Sequence, residues 1–352
     1  MAGHREGIMN YDEAVKHTWN LEEGPPRDEA ERMRLLIRYA TLAPSGHNTQ
    51  CWQFRVEEGA ITLLPDLTRR TPVVDPDDHH LYVSLGCATE NLCLAAQAMG
   101  LSAQAEFRPQ GDGAIRVSLT PGEAEVSPLF EAIAHRQCTR SDYDGTTLSA
   151  EELALLEAAG SGDGVSVVLL TEQDAIERAL EYIQRANTRQ LENPAFRREL
   201  EAWIRFNDAE AVKKGDGLSG RATGNPQAPR WLGKFLMRAM LKPKAENAKL
   251  ARHVRSSSGL AVFVSAADDR AHWVQAGRCY QRFALQATAL GIRNAFVNQP
   301  VEEASLRPEF ARALGRAGGR PDLVVRFGRG PAMPRSLRRP VESVITSTTS
   351  AP

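Results

Sequence analysis

Two stretches of this 352-residue chain repeat one another at a fixed distance, and nothing else in it constrains the fold as strongly. Residues 82–101 (YVSLGCATENLCLAAQAMGL) and 273–292 (WVQAGRCYQRFALQATALGI) are related by an offset of 191. At that offset Val83/Val274, Gly86/Gly277, Leu94/Leu285, Ala96/Ala287, Ala98/Ala289 and Gly100/Gly291 are identical pairs. Both stretches read as long helices with a stripe of small residues, closed by a glycine at the C-terminal end. Two Ala/Gly-rich helices can match by composition alone. The matching caps, and a similar extended segment after each, favour an internal duplication. The spacing is far too long for a solenoid, so the pattern reads as two fused domains.

Hydrophobic periodicity gives each half helices and strands. The first half predicts a helix near 27–42, strands near 53–57 and 60–65, a helix at 80–99, and strands near 103–107 and 114–119. The second predicts a helix at 149–159, a strand at 165–170 and a helix at 172–187. A strand at 259–265, a helix at 270–290, a strand at 293–297, a short helix from 302 and a strand at 322–327 follow. The fold class is therefore α+β, a mixed sheet flanked by helices. The halves divide as 1–125 and 126–345. Residues 188–256 have no counterpart in the first half. They comprise a helix with Phe196, Leu200, Trp203 and Ile204, a Gly-rich run from Lys214 to Pro226, and a basic amphipathic helix from Trp231 to Leu241. A long irregular insertion in a compact domain is either disordered or a lid, and its Gly/Pro hinges and aromatic anchors favour a lid.

Bulk properties exclude several classes. A net charge of −1 leaves no field of one sign to mark a nucleic-acid or membrane partner. No apolar run approaches the ~20 residues needed to span a bilayer. The start, Met1–Glu6, lacks the apolar core of a signal peptide, which points to the cytoplasm. Five scattered cysteines fit reduced thiols better than disulfides or a zinc site. There is no G-x-G-x-x-G and no P-loop pattern. The pair His79-His80 follows Asp75–Asp78; adjacent histidines at a helix start cannot easily share one metal, so capping and solvation explain them better. His47 with Cys51 suggests an activated thiol, but no third orienting residue is evident.

Three motifs remain. Ala43-Pro44-Ser45-Gly46-His47-Asn48-Thr49-Gln50-Cys51-Trp52 breaks a helix with small hydrogen-bonding residues just before a Trp, which lets backbone approach a flat ligand. Arg136-Gln137-Cys138-Thr139-Arg140 places two arginines four apart, either a solvated basic turn or a clamp for a phosphate dianion. Asn298-Gln299-Pro300 ends the strand after the second repeated helix, as a plain turn or as a ligand contact.

Together these resemble the nitroreductase superfamily, and the resemblance covers about residues 27–345. The first motif is similar to the A-P-S-x-x-N-x-Q-P-W segment that lines the flavin there, with Cys51 in place of the usual proline. The resemblance implies ring contacts from Pro44, Ser45, Gly46 and Asn48. It implies an FMN phosphate held by Arg136, Gln137, Cys138 and Arg140, where Gln137 and Cys138 replace an Arg and a Ser of the R-R-S-x-R motif. It also implies contacts near flavin N5 from Asn298 and Gln299, and a basic C-terminal segment in which Arg338 and Arg339 match best. The pyrimidine end of the ring would fall to Asn247, Lys249 or Arg252, with nothing to choose among them.

The halves are degenerate in opposite ways. The first has only Val15–Asn20 where an arginine motif would stand, and the second only Ala159–Val165 where the Pro-Ser-Asn turn would stand. Nitroreductases are usually homodimers that share each flavin site, so a fused pseudo-dimer would keep one site built from both halves. The resemblance is closest to the long, internally duplicated, Acg-like branch. It implies an FMN-dependent oxidoreductase passing hydride from NAD(P)H to a nitroaromatic or quinone-like acceptor. The alternatives are an FMN-sequestering protein whose lid covers the ring, and an enzyme acting on one particular small molecule beneath it. Further homodimerisation is open.

Overall fold

Each half of the chain winds four strands into an antiparallel sheet around one long helix. The computed structural model describes residues 9–346 except 22, 23, 25 and 317; Met1–Glu6, read above for a leader, lies outside the described residues. After α1 (Tyr11–Trp19), the first half runs α2 (Glu29–Thr41), β1 (Trp52–Glu57), β2 (Ala60–Pro65), α3 (His79–Ala98), β3 (Leu101–Arg108), β4 (Ala114–Pro121) and α4 (Pro128–Ile133). The second opens with α5 (Ala150–Gly160) and β5 (Val165–Leu170), then inserts α6 (Gln173–Glu192), α7 (Pro194–Trp203), β6 (Ile204–Arg205) and α8 (Asp208–Lys214). The insertion continues through β7 (Leu218–Ser219), α9 (Gly220–Thr223), α10 (Arg230–Met240) and α11 (Pro243–Arg255). It rejoins the sheet at β8 (Gly259–Ser265), followed by α12 (Arg270–Ala289), β9 (Arg293–Phe296), α13 (Gln299–Glu302), α14 (Arg307–Ala313), β10 (Arg320–Gly328) and β11 (Ile345–Thr346).

The strand orders are β1-β2-β4-β3 in one sheet and β5-β8-β10-β9 in the other. Taking strands in sequence within each half, the two orders coincide, and every one of these pairings is antiparallel. Residues 58 and 59 suffice to join β1 to β2, whereas residues 171–258 separate β5 from β8. Sequence reading expected two halves with a mixed sheet flanked by helices. The two main sheets are antiparallel except at β11, which returns from near the C-terminus to pair in parallel with β1 (Phe54 with Ile345) and makes the first sheet mixed.

Helices α3 and α12 cross at the centre, and the repeated glycines set the distance. A Cβ on Gly86 would lie 2.0 Å from the Val274 carbonyl oxygen, and one on Gly277 would lie 2.0 Å from that of Val83. The two contacts are reciprocal, as a pseudo-twofold axis requires. Glycine therefore stands there because backbone meets backbone. The Cys87 thiol donates to the Gly277 carbonyl at 3.2 Å, and Gln281 donates to Asn91 at 2.6 Å. One apolar core runs through the crossing, from Leu36, Trp52 and Phe54 of the first half to Phe263, Phe283 and Phe327 of the second. The caps of both helices are left-handed glycines, Gly100 (φ 74°) and Gly291 (φ 71°).

Other departures have local causes. α6 continues to Glu192 because the first stop is Asn193-Pro194. The helix expected from 302 lies earlier, over Gln299–Glu302, with Pro300 in its first turn, and α14 starts anew at Arg307. The Gly-rich run from Lys214 is ordered by short pairings, β6 with β7 in parallel. Helices α1, α4 and α11 had no sequence assignment.

Gly86→Ala or Gly277→Ala is expected to cost about 3 kcal/mol, the upper end of overpacking penalties, because backbone cannot yield as a flexible side chain can. Urea denaturation measures it; a midpoint unchanged for both variants would show that the crossing is looser than described.

Candidate functional site

The turn after α2 holds three of the four non-glycine residues at positive φ among the described residues. His47 (φ 49°), Asn48 (φ 54°) and Gln50 (φ 53°) are all left-handed, and Asp78 is the fourth. Such residues cost on the order of 1–3 kcal/mol each and persist only where the surroundings hold them. Here the surroundings come from three directions. The Ser45 hydroxyl accepts from the Gln50 amide at 2.9 Å. Asn48 donates to the carbonyls of Gly217 (3.1 Å) and Leu337 (3.2 Å), and Gln50 donates to that of Gly215 (2.8 Å). The backbone amide of Arg339 donates to the Gln50 side chain at 2.8 Å. Insertion and C-terminal segment together thus lock a turn that belongs to the first half.

Arg338 supplies the rest of that lock. Its guanidinium donates to the carbonyls of Thr41 (2.8 Å), Leu42 (3.0 Å) and Ala43 (3.0 Å), closing the C-terminal end of α2. Its remaining nitrogen donates to Leu337, Ser336 and Asn48. Every N–H of Arg338 is thereby engaged. It lines the cavity described below, but it has no donor left for a ligand.

Arg136 is the opposite case. It is 2% exposed and makes one side-chain hydrogen bond, to the Leu42 carbonyl at 3.1 Å. Its Nε and Nη1 are buried without partners. Burial, and then the Arg136 charge, push the Arg338 guanidinium down to about 9, and burial with the Arg136 charge also lowers Arg335. An unpaired buried cation beside other cations is costly unless an anion joins it. Arg140 likewise has no hydrogen bond or ion pair among the described residues. The backbone on either side of it is held by Arg326, which donates to the carbonyls of Thr139 (3.0 Å) and Ser141 (2.7 Å).

Two adjoining cavities open between these groups. The smaller, about 50 Å³, is lined by Pro44, Ser45, Asn48, Arg136, Cys138, Arg140, Ser336 and Arg338 among others, and no carboxylate contributes to its wall. The larger, about 360 Å³, is lined by Pro44, Ser45, Gly46, His47, Arg140, Asn298 and Gln299, with apolar walls from Val83, Phe296 and Leu323. Pro44, Ser45, Arg140, Leu218, Thr223 and Phe296 border both. A small cationic chamber thus meets a larger one whose walls mix apolar and polar side chains. That shape suits a ligand with an anionic end and a flat, hydrogen-bonding body.

The insertion roofs the larger cavity. Leu191 of α6, Phe196 and Leu200 of α7, Leu218 of β7, Leu241 just after α10 and Leu250 of α11 all contribute to its wall. The Gln299 Oε1 is buried without a partner, so it is an acceptor awaiting a donor, whereas Asn298 Oδ1 already accepts from the Val324 amide at 2.9 Å. His47 is held neutral, down to about 4, first by burial and then by the charges of Arg140 and His80.

Ten of the twelve residues singled out from sequence line one or both cavities: Pro44, Ser45, Gly46, Asn48, Arg136, Cys138, Arg140, Asn298, Gln299 and Arg338. Gln137 and Arg339 line neither. The Gln137 side chain accepts from the Met333 amide at 2.9 Å, and Arg339 reaches the carbonyls of Gln50 and Ser343. Of the three residues offered for the far end of a ring, Lys249 lines the larger cavity, while Asn247 is bonded to Asn187 and Arg252 to Asp142. Cys51 is a buried thiol pushed up to about 12, which removes the activated-thiol reading. His79 pairs with buried Asp322 at 2.9 Å. Sequence reading took His80 for a capping or solvated residue and singled out neither Glu302 nor Gln190; the three meet on the cavity wall only because α3, α6 and α13 converge.

No family model matches the chain. A Mycobacterium tuberculosis H37Rv protein, by name a candidate NAD(P)H nitroreductase, is 26% identical over 332 residues, covering 90% of this chain and 92% of that protein. The chain is thus similar, over nearly its whole length, to a protein that carries a nitroreductase name. A second, uncharacterised protein of the same strain is 25% identical over 330 residues, 88% of this chain and 91% of its own length. Among solved structures, a Desulfitobacterium hafniense nitroreductase with bound FMN covers 64% of this chain at 15% identity with a TM-score of 0.39. The FMN-dependent nitroreductase NfnB of Mycobacterium smegmatis, in complex with NADPH, covers 58% of this chain and 87% of its own at 14% identity with a TM-score of 0.37.

Arg136→Met is expected to leave the ligand-free chain at least as stable as the parent, because it removes a buried unpaired charge. Arg338→Met should cost roughly 2–4 kcal/mol, since it strips buried carbonyls of their donor. Thermal melts of the two proteins side by side check the contrast; equal losses would show that both arginines are structural.

Proposed function

We propose that this chain binds FMN in the two joined cavities and works as an NAD(P)H-dependent oxidoreductase of the nitroreductase type. One observation carries the reading: Arg136, buried with unpartnered N–H groups, and the strained Pro44–Asn48 turn come from different halves and meet around one cavity system. The residues present fit the cofactor. A phosphate dianion in the smaller chamber would take the free donors of Arg136 and Arg140, as charge-assisted forked hydrogen bonds require. Arg338 would add its field while its donors stay on α2. Gln299 would accept from a ring N–H, and Pro44, Ser45 and Gly46 are small enough for backbone to approach a planar system.

Bound there, a flavin would supply the redox chemistry, hydride transfer between NAD(P)H and a nitroaromatic or quinone-like acceptor. The protein's part is to bind, orient and exclude water. The apolar side chains of Leu191, Phe196, Leu200 and Leu241 would exclude water from one side of a bound ring, which strengthens the polar contacts there. In this reading residues 1–125 supply the ring-facing turn, 126–345 the phosphate ligands, and 188–256 the lid.

The roof also favours a second reading, FMN sequestration, because a lid that covers the ring keeps out both hydride donor and acceptor. Purified protein is expected to be yellow and to release FMN on denaturation. Anaerobic NADPH should bleach it, and a nitroaromatic should restore the colour. Retained FMN that responds to neither, but becomes reducible in a Phe196→Ala/Leu241→Ala variant, would favour sequestration. Protein that takes up no FMN on titration would sink both readings. Arg136→Ala should weaken FMN by about 1.5–3 kcal/mol, the scale of a hydrogen bond to a charged group, read by fluorescence titration; unchanged affinity would remove Arg136 from the phosphate site.

A further inference from the structure

Helix α10 turns its apolar side outward. Trp231 is 73% exposed, Phe235 66%, Met240 67% and Leu236 37%, and together they form the outer arc of the helix. The inner side is fixed by packing and charge. Gly233 lies against the Phe206 ring, where a Cβ would sit 2.3 Å from it. Lys234 and Arg238 pair with Glu201 at 2.9 Å, and Arg230 pairs with Glu210 at 3.0 Å. A surface helix ordinarily does the reverse, burying its apolar face and solvating its charges.

We propose that α10 seats the protein on an anionic lipid surface. The charge around the arc argues for that occupant. Arg230, Lys234, Arg238, Lys242 and Lys244 are basic, and residues 222–245 contain no Asp or Glu. Lys242 and Lys244 are exposed, and the two carboxylates that pair with the helix are largely covered, with side chains 12% and 23% exposed. An apolar arc carrying Trp and Phe, fringed by cations, is the pattern of a helix lying in the headgroup region. The arc exposes on the order of 500 Å², less than the ~800 Å² per partner of a stable protein interface, which argues against a second copy as its cover. The overall charge of −1 gives no attraction of its own, so the contact is local to this helix. Among the described residues no helix is long and apolar enough to cross a membrane, so the contact is peripheral. Leu241, the next residue after the helix, lines the larger cavity, so the docked face adjoins the roof of the site.

The test is flotation of the full chain with vesicles of phosphatidylglycerol and phosphatidylcholine, against vesicles of phosphatidylcholine alone. Partitioning is expected to be about tenfold higher on the anionic vesicles and to fall as salt rises. Trp231→Ser/Phe235→Ser and, separately, Lys242→Glu/Lys244→Glu should each lower it about tenfold while melting temperature and FMN content stay unchanged; the second pair lies outside α10 and leaves its fold untouched. Absence of parent binding to either vesicle overturns the proposal. So does binding that survives both variants, or concentration-dependent dimerisation that Trp231→Ser/Phe235→Ser abolishes without any vesicle binding. Because the readout is partitioning, a negative result leaves the FMN reading standing, and a colourless protein that still floats leaves this one standing.

Discussion

The rest of the structure depends on two helices meeting backbone to backbone. At the α3–α12 crossing Gly86 and Gly277 each rest on the other helix's Val carbonyl, and no side chain larger than hydrogen fits. The contact brings the ends of two sheets into one core, and so makes a boundary along which residues from both halves can face the same space. Loosening it would separate the Pro44–Asn48 turn from the Arg136–Arg140 segment. The Arg136–Leu42 hydrogen bond shows how direct the link is, since the donor follows α4 and the acceptor caps α2.

A second constraint is electrostatic. Arg136 and Arg338 donate to the same Leu42 carbonyl, yet Arg338 has engaged all its donors with backbone carbonyls and the Asn48 and Ser336 side chains, while Arg136 has most of its donors free. Two guanidiniums so placed repel, and burial deepens the cost. Folding tolerates this because Arg338 satisfies carbonyls at the end of α2 and Trp19 stacks on it, with the guanidinium 5.2 Å from the ring centroid. Residues Val15–Asn20, where the first half lacks an arginine motif, thus form part of α1 and brace the C-terminal segment instead. On the proposed reading the strain at His47, Asn48 and Gln50 and the unpaired charge at Arg136 are two parts of one preorganised site, both held by groups outside the ligand's reach.

Sequence made the repeated helices and most strands legible, because periodicity and glycine caps are local signals. β1, β2, β5 and β8 lie within about a residue of their expected ends. It also brought ten of twelve candidate residues to the cavities, since motif residues carry their meaning in order and spacing. Gln137 and Arg339 line neither cavity, because which side chain of a basic run turns inward is decided by distant partners such as Met333 and Gln50. Sequence could not bring His80, Gln190 and Glu302 to one wall, since they sit on three separate helices. Nor could it place β11 beside β1, because those strands lie near opposite ends of the chain.

Fusion explains why the halves could diverge so far. In a homodimer every substitution appears on both sides of the axis, so an insertion between the first two strands would be made twice. In this chain residues 58 and 59 make that connection in one half, and residues 171–258 make it in the other. A single insertion can then roof a single cavity, contribute Gly215 and Gly217 carbonyls to the turn of the opposite half, and present α10 outward. The same freedom removes any pressure to keep a second site. Ala159–Val165 therefore runs from the end of α5 into β5, and Gly162 packs against the Arg282, Cys279 and Gln275 side chains, filling the place where a mirror-image turn would have stood.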